Sequence, residues 1–120
     1  MENTIDTGEP NELTILWTSG DREVALNMVF MYAFNSKMKQ FWEHVCLIVW
    51  GPSAKLLAVD EELQGRLKQM MEVGVKVQAC IACTNYYGVT DTLIKLGIEV
   101  KGMGQPLTEI IKEGKKLLCI

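Results

Sequence analysis

A single histidine, His44, and three prolines stand among the 120 residues of this chain. One imidazole, set ahead of an apolar run and away from the candidate nucleophiles, leaves no Cys–His or Ser–His–Asp arrangement, so hydrolysis by a base-activated nucleophile lacks its base. Positive charge is scarce as well. Twelve Lys and Arg against fifteen Asp and Glu give a net charge of −3. No basic run stands out, so a nucleic-acid backbone has no electrostatic footprint here. Long apolar stretches are also missing: the longest, Val45 to Trp50, is far shorter than the roughly 20 residues that cross a bilayer. The start carries Glu2, Asp6 and Glu9 among Thr, Gly and Pro, without the basic and apolar regions of a secretory signal. It reads as a flexible tail over 1–11 ahead of one domain over 12–120, the size of a single compact core. These absences predict a soluble, cytoplasmic protein that engages neither membrane nor nucleic acid. Four cysteines in a reducing compartment stay free thiols rather than forming a static disulfide scaffold.

What is present is an alternation of strand-like and helical runs. Five strand-like runs, Glu12–Thr18, Val45–Trp50, Val75–Cys80, Ile98–Lys101 and Lys116–Ile120, are separated by stretches of helical spacing. That order predicts an α/β fold, a three-layer α/β/α sandwich whose five-stranded, mainly parallel sheet is covered by helices on both faces, flavodoxin-like in architecture. Asp21 is placed to cap a helix carrying Val24, Leu26, Met28, Val29, Phe30, Met31, Ala33 and Phe34. Gly74, Gly97 and Gly114 end later helices, Thr90 begins one, and Pro106 fits a first turn ahead of an inward face of Leu107, Ile110 and Ile111. Met28, Met31, Phe34, Met70 and Met71 exceed what a small monomer hides, a surplus that suits a contact between subunits.

The chemistry concentrates in Val75-Lys76-Val77-Gln78-Ala79-Cys80-Ile81-Ala82-Cys83, a β-branched strand that ends in a Cys-x-x-Cys pair. A thiol where a strand gives way to a helix start meets unpaired backbone N–H groups and the positive end of a dipole, which favours thiolate, the reactive form. Cys80 is therefore the first candidate for chemistry and Cys83 a second partner one short loop away. Two cysteines three apart also arise where small residues fill a tight junction. In an open parallel sheet, ligands gather beyond the carboxyl ends of the strands where the winding reverses. The strand order 2-1-3-4-5 would put Cys80 beside Ser19 and Gly20 of the first loop. Asn85 lies on the loop that follows the cysteines. Thr18-Ser19-Gly20-Asp21 lacks the glycines and lysine of a phosphate cradle, and reads more simply as a turn and helix cap. Cys46 and Cys119 read as core thiols inside strands, which leaves no ligand set for a metal. Trp17 and Trp50 read as core filling at the strand tips, and Asp60, Glu61 and Glu62 as a solvated first turn.

The Thr18-Ser19-Gly20 loop, the third-strand pattern Gly74 to Cys80, the following Gly88-Val89 and the late segment Gly97-Ile98-Glu99-Val100 resemble the DsrE/DsrF-like family of small sulfur-handling proteins, from about Leu13 to the end. The resemblance implies that Cys80 accepts and passes on sulfur as a persulfide between donor and acceptor proteins, with no metal or organic cofactor. It also implies a homo-oligomer, a trimer or hexamer. The second cysteine, Cys83, marks a branch in which a sulfur relay or a cycling Cys-x-x-Cys dithiol are both open. A thiol–disulfide protein needs such a resolving thiol, although no Trp or Pro within the motif makes it thioredoxin-like. A third reading is an oligomeric binding module without turnover.

Overall fold

The computed structural model describes residues 11–120, so the tail expected over 1–11 lies outside it except for Asn11. That residue already belongs to the sheet margin, since its carbonyl accepts from the N–H groups of Glu43 and His44. The strands are β1 (Glu12–Trp17), β2 (His44–Val49), β3 (Lys76–Cys80), β4 (Glu99–Lys101) and β5 (Leu117–Cys119). All four neighbouring pairs run parallel. The helices are α1 (Arg22–Val24) and α2 (Met31–Met38) joined by a π-helical segment Ala25–Phe30, then α3 (Pro52–Val59), α4 (Glu61–Glu72), α5 (Ile81–Tyr87), α6 (Thr90–Lys95) and α7 (Gly104–Lys112). The α/β class and the parallel five-stranded sheet are those expected from the alternation of runs. The strand order is not: it is β4-β3-β2-β1-β5. β1 and β3 are separated by β2, and the first loop is not the sheet neighbour of Cys80.

This order fixes the layers. Because crossovers between parallel strands are right-handed, the steps β1 to β2 to β3 to β4, all in one direction, place α1 through α6 on a single face. The return from β4 to β5 puts α7 on the other. Alternation along the strands agrees. Leu13, Ile15, Trp17, Val45, Leu47, Val49, Val75, Val77 and Ala79 face the helices and pack with Ala25, Val29, Phe30, Leu57, Leu63, Leu67 and Leu93. Their neighbours Ile48 and Cys80 face the other way and pack with Met103 and, at the margin, Ile110. The second face is thus roofed by one nine-residue helix, so helices cover both faces as the sequence predicted, but unequally. The roof is thin. No α7 residue is buried, and Ile111, expected to face inward, is 58% exposed.

Local signals mostly hold. The Asp21 carboxylate accepts from the N–H groups of Glu23 and Val24 at 2.8 and 3.2 Å, and Asp60 caps α4 through Leu63 N–H at 3.0 Å. The acids Asp60 and Glu62 do more than meet solvent, because both bind the Arg22 guanidinium and so tie α4 to the start of α1. Thr90 departs from its expected capping role: Val89 caps α6, and the Thr90 hydroxyl turns to Asn85 and Thr84. Met70 is core, whereas Met28 and Met31 are exposed. Cys119, expected in the core, is exposed, because β5 is a short edge strand on the thinly covered side.

Candidate functional site

Cys80 is the last residue of β3 and the N-cap of α5, with extended backbone at φ −75°, ψ 117°. The extended conformation ends the strand and the next residue begins the helix, as the strand-to-helix pattern predicts. Its side chain makes no capping bond to the α5 N–H groups; it points to the second sheet face and is 5% exposed. There it is buried with Ile48 and Met103 and flanked by Leu16, Cys46, Trp50, Cys83 and Ile110. Cys83 lies one turn into α5, half-buried, and packs against the buried cluster that holds Cys80. Burial is the main reason its proton is held more tightly than in a free thiol; the backbone of Gly51 opposes that as a hydrogen-bond partner, and the Cys80 sulfur adds to it. At neutral pH Cys83 is thus a protonated thiol beside Cys80.

Gly51 opens the loop Gly51-Pro52-Ser53 that follows the second strand. It caps α3 at φ +75°, ψ −142°, a backbone region essentially restricted to glycine, and this conformation carries its backbone to Cys83. A glycine ahead of Pro52 at a strand end was the available signal, but the contact joins loops more than thirty residues apart. Behind it, the buried Ser53 hydroxyl donates to the Trp17 carbonyl at 2.6 Å and accepts from Trp50 N–H at 3.2 Å, locking the tips of β1 and β2 together.

Gly20 packs against this second loop instead of against Cys80, while Ser19 N–H bonds the Ile120 carbonyl at 3.3 Å. A Cβ on Gly20 would stand 3.2 Å from that of Pro52, and Ser53 N–H bonds the Thr18 carbonyl at 3.2 Å. The Ser19 hydroxyl accepts from Asp21 N–H at 3.1 Å, a local turn. Strand order is the cause, because each loop touches the loop of the adjacent strand. Asn85 is at the far end of α5, where its side chain accepts from Thr90, and it lines a shallow depression with Gly88, Thr90 and Asp91. The structure brings Cys80 and Cys83 together, places Gly20 against the second loop and Ser19 against Ile120, and sets Asn85 apart.

Cys46 shares the second face but differs chemically. Its thiol donates to Gln78 Oε1 at 3.4 Å, while Gln78 Nε2 is held at 3.0 Å by the Glu99 carboxylate. Burial above all pushes the Cys46 pKa up to about 11 from an ordinary 9.0. The sign follows directly. The folded state keeps a proton that the unfolded chain loses above about pH 9, so Cys46 contributes stability that is complete below that pH and is lost as pH climbs toward 11. Chemical denaturation at pH 8.5 and pH 11 is expected to show about 2 kcal/mol more loss for the native protein than for Cys46→Val; equal losses would contradict this burial effect.

His44 stands exposed at the opposite end of the sheet, paired in register with Glu12. It lines a crevice of about 430 Å³ with Thr14, Cys46, Lys76, Gln78 and Ile110, at the strand starts and away from Cys80. Among the described residues no group of three or more His, Cys, Asp or Glu converges on a metal position, and no helix is long and apolar enough to cross a membrane.

The DsrE/DsrF-like family model matches residues 13–120. Among solved structures, the chain is similar to a conserved protein of unknown function from Bacteroides thetaiotaomicron, 41% identical with a TM-score of 0.91, over 98% of this chain and 100% of that one. It shares its fold with a protein of unknown function from Methanobacterium thermoautotrophicum, 18% identical with a TM-score of 0.72, over 91% of this chain and 98% of that one. The same holds for the ychN protein of E. coli, 15% identical with a TM-score of 0.70 over the same shares. No curated protein matches. With its thiol pair at the tip of the third strand, a family match over nearly all of its length and a relative aligned end to end, the chain belongs to the DsrE/DsrF-like family.

Proposed function

We propose that the protein carries sulfur as a persulfide on Cys80, receiving it from a donor and passing it to an acceptor. The observation behind this reading is the placement of Cys80 and Cys83 in one buried cluster where β3 gives way to α5. In the loading step, the deprotonated Cys80 sulfur attacks the terminal sulfur of a donor persulfide, R–S–SH. A new S–S bond forms on Cys80, the donor S–S bond breaks, and R–S⁻ leaves with the electron pair. No oxidant is consumed and no metal or organic cofactor takes part. The Cys83 S–H can donate to the sulfur that carries charge, which stabilises the loaded form as a charge-assisted hydrogen bond does elsewhere.

The same placement favours a second reading, a cycling dithiol. If Cys83 loses its proton and attacks the inner sulfur of the Cys80 persulfide, a Cys80–Cys83 disulfide forms and HS⁻ departs, so a reductant must then restore both thiols. Treatment with a low-mass persulfide donor, followed by peptide fragmentation under non-reducing conditions, separates these outcomes. A carrier shows one added sulfur on Cys80. A dithiol cycle shows a Cys80–Cys83 bridge with released sulfide, and no adduct on either cysteine leaves a binding module.

The reading places the protein in a reducing compartment such as the cytoplasm, with sulfur donor and acceptor proteins as partners. It includes self-assembly to a trimer or hexamer. Met28, Met31 and Phe41 are exposed and supply apolar surface for such contacts. Sedimentation velocity is expected to show a particle three or six times the chain mass; a monomer at micromolar concentration overturns that part.

A further inference from the structure

The proposed carrier role requires a sulfur that reagents can reach, and Cys80 is 5% exposed. What covers it is therefore a functional question. Ile48 comes from the adjacent strand β2, where it is in register with Gln78 on the same face as Cys80. Of the fully buried members of this cluster, Met103 alone, at 1% exposure, comes from outside the sheet. It sits in the short connection from β4 to α7 as the N-cap of that helix, between Gly102 and Gly104. Around both glycines there is open space: a Cβ at either position would meet nothing within 4 Å. The helix that follows buries none of its residues, so little packing holds it down, and segments with few buried apolar contacts open at the lowest free-energy cost.

We propose that Met103 is a movable cover that controls access to Cys80, swinging away on the Gly102 and Gly104 backbone together with the start of α7. The idea rests on the carrier reading for its purpose but not for its test. An unbranched thioether with three rotatable bonds suits the part, since it fills an irregular gap when closed and leaves without a large steric barrier. The flanking glycines supply backbone freedom that any other residue would restrict. Neither glycine holds a left-handed conformation, so alanine at both fits the closed structure and restricts the hinge alone.

Alkylation by iodoacetamide at pH 8, followed residue by residue by peptide mass, reads the opening without any sulfur transfer. Met103→Ala is expected to speed modification of Cys80 by about tenfold or more, while Cys119, already exposed, reacts at an unchanged rate. Met103→Leu, close in volume, is expected to keep the native rate. The double variant Gly102→Ala/Gly104→Ala is expected to slow Cys80 by roughly three- to tenfold with no loss of thermal stability. Amide exchange across β2 reports whether opening is local. Cys80 rates that ignore Met103→Ala overturn the proposal, as does a double-alanine variant that reacts as fast as the native protein. Faster β2 exchange in step with faster alkylation also overturns it, because the opening would then be global. Should the rates follow the expected pattern while persulfide loading fails, the carrier reading falls and the cover stands; loading with unresponsive rates gives the converse.

Discussion

Replacing Cys80 by serine is expected to abolish sulfur loading, leaving the persulfide-treated variant with no added sulfur at position 80. The loss is complete rather than partial because a serine hydroxyl does not ionise near neutrality and makes no stable bond to a sulfane sulfur. The fold is expected to survive. Serine occupies nearly the volume of cysteine, and serine is among the best residues at a helix N-cap, the place Cys80 holds at the start of α5. A hydroxyl there can accept the α5 N–H bond that the cysteine leaves unmade. Unchanged far-ultraviolet dichroism and thermal unfolding beside zero loading would assign the chemistry to the sulfur itself. Cys83→Ser is the informative companion. Under the carrier reading Cys83→Ser still loads one sulfur on Cys80, because loading needs no bridge to a second thiol. Under the dithiol reading the native protein bridges and the variant cannot. Native-level loading of Cys80→Ser would move the reactive centre elsewhere and remove the basis of the proposed function.

The largest effect on stability is expected from Trp17→Ala. Trp17 ends β1 with 0% exposure and meets Phe30 edge to face, with ring centroids 5.1 Å apart. Truncation removes the transfer free energy of an indole and leaves a cavity that the surrounding sheet and helices cannot close, at a cost of about 3–5 kcal/mol. The indole N–H is buried without a hydrogen-bond partner, so its removal returns part of the penalty for desolvation and places the result toward the lower end of that range. Against a total of about 5–15 kcal/mol for a domain of this kind, the midpoint of thermal unfolding should fall by roughly 10 °C or more. A fall of only a degree or two would mean that the core relaxes around the gap. Because the Trp17 carbonyl also accepts from Ser53, amide exchange is expected to rise first in the loops that follow β1 and β2, and the Cys83–Gly51 contact should loosen with them.

The end of the third strand at Cys80 was legible in the sequence because it depended on neighbours along the chain. The stretch that follows reads in the sequence as a loop carrying Cys83 and Asn85, whereas it is helix α5, which brings Cys83 onto the turn nearest Cys80, since residues three apart share a helix face. Alternating runs sufficed for the α/β class, because period-two and period-3.6 patterns record which residues must leave water. Asp21 and Asp60 announced helix starts for the same local reason. Where partners are distant in sequence, the pattern was silent. Cys119 looked like a core residue in an apolar run, yet an edge strand of three residues leaves it in solvent. Leu107, Ile110 and Ile111 have the spacing of an inward face, but spacing does not reveal that α7 crosses the sheet alone.

Local pattern along the chain sets the elements, their alternation into a parallel sheet and the nearness of two thiols at one strand end, because backbone dihedral preferences and hydrophobic periodicity act over a few residues. The assembled fold sets the order β4-β3-β2-β1-β5, the thin roof of the second face and the burial of Cys80 with Met103. Those features follow from which strand lies beside which. That choice is made by packing the whole core at once, among residues far apart along the chain, and no local pattern encodes it.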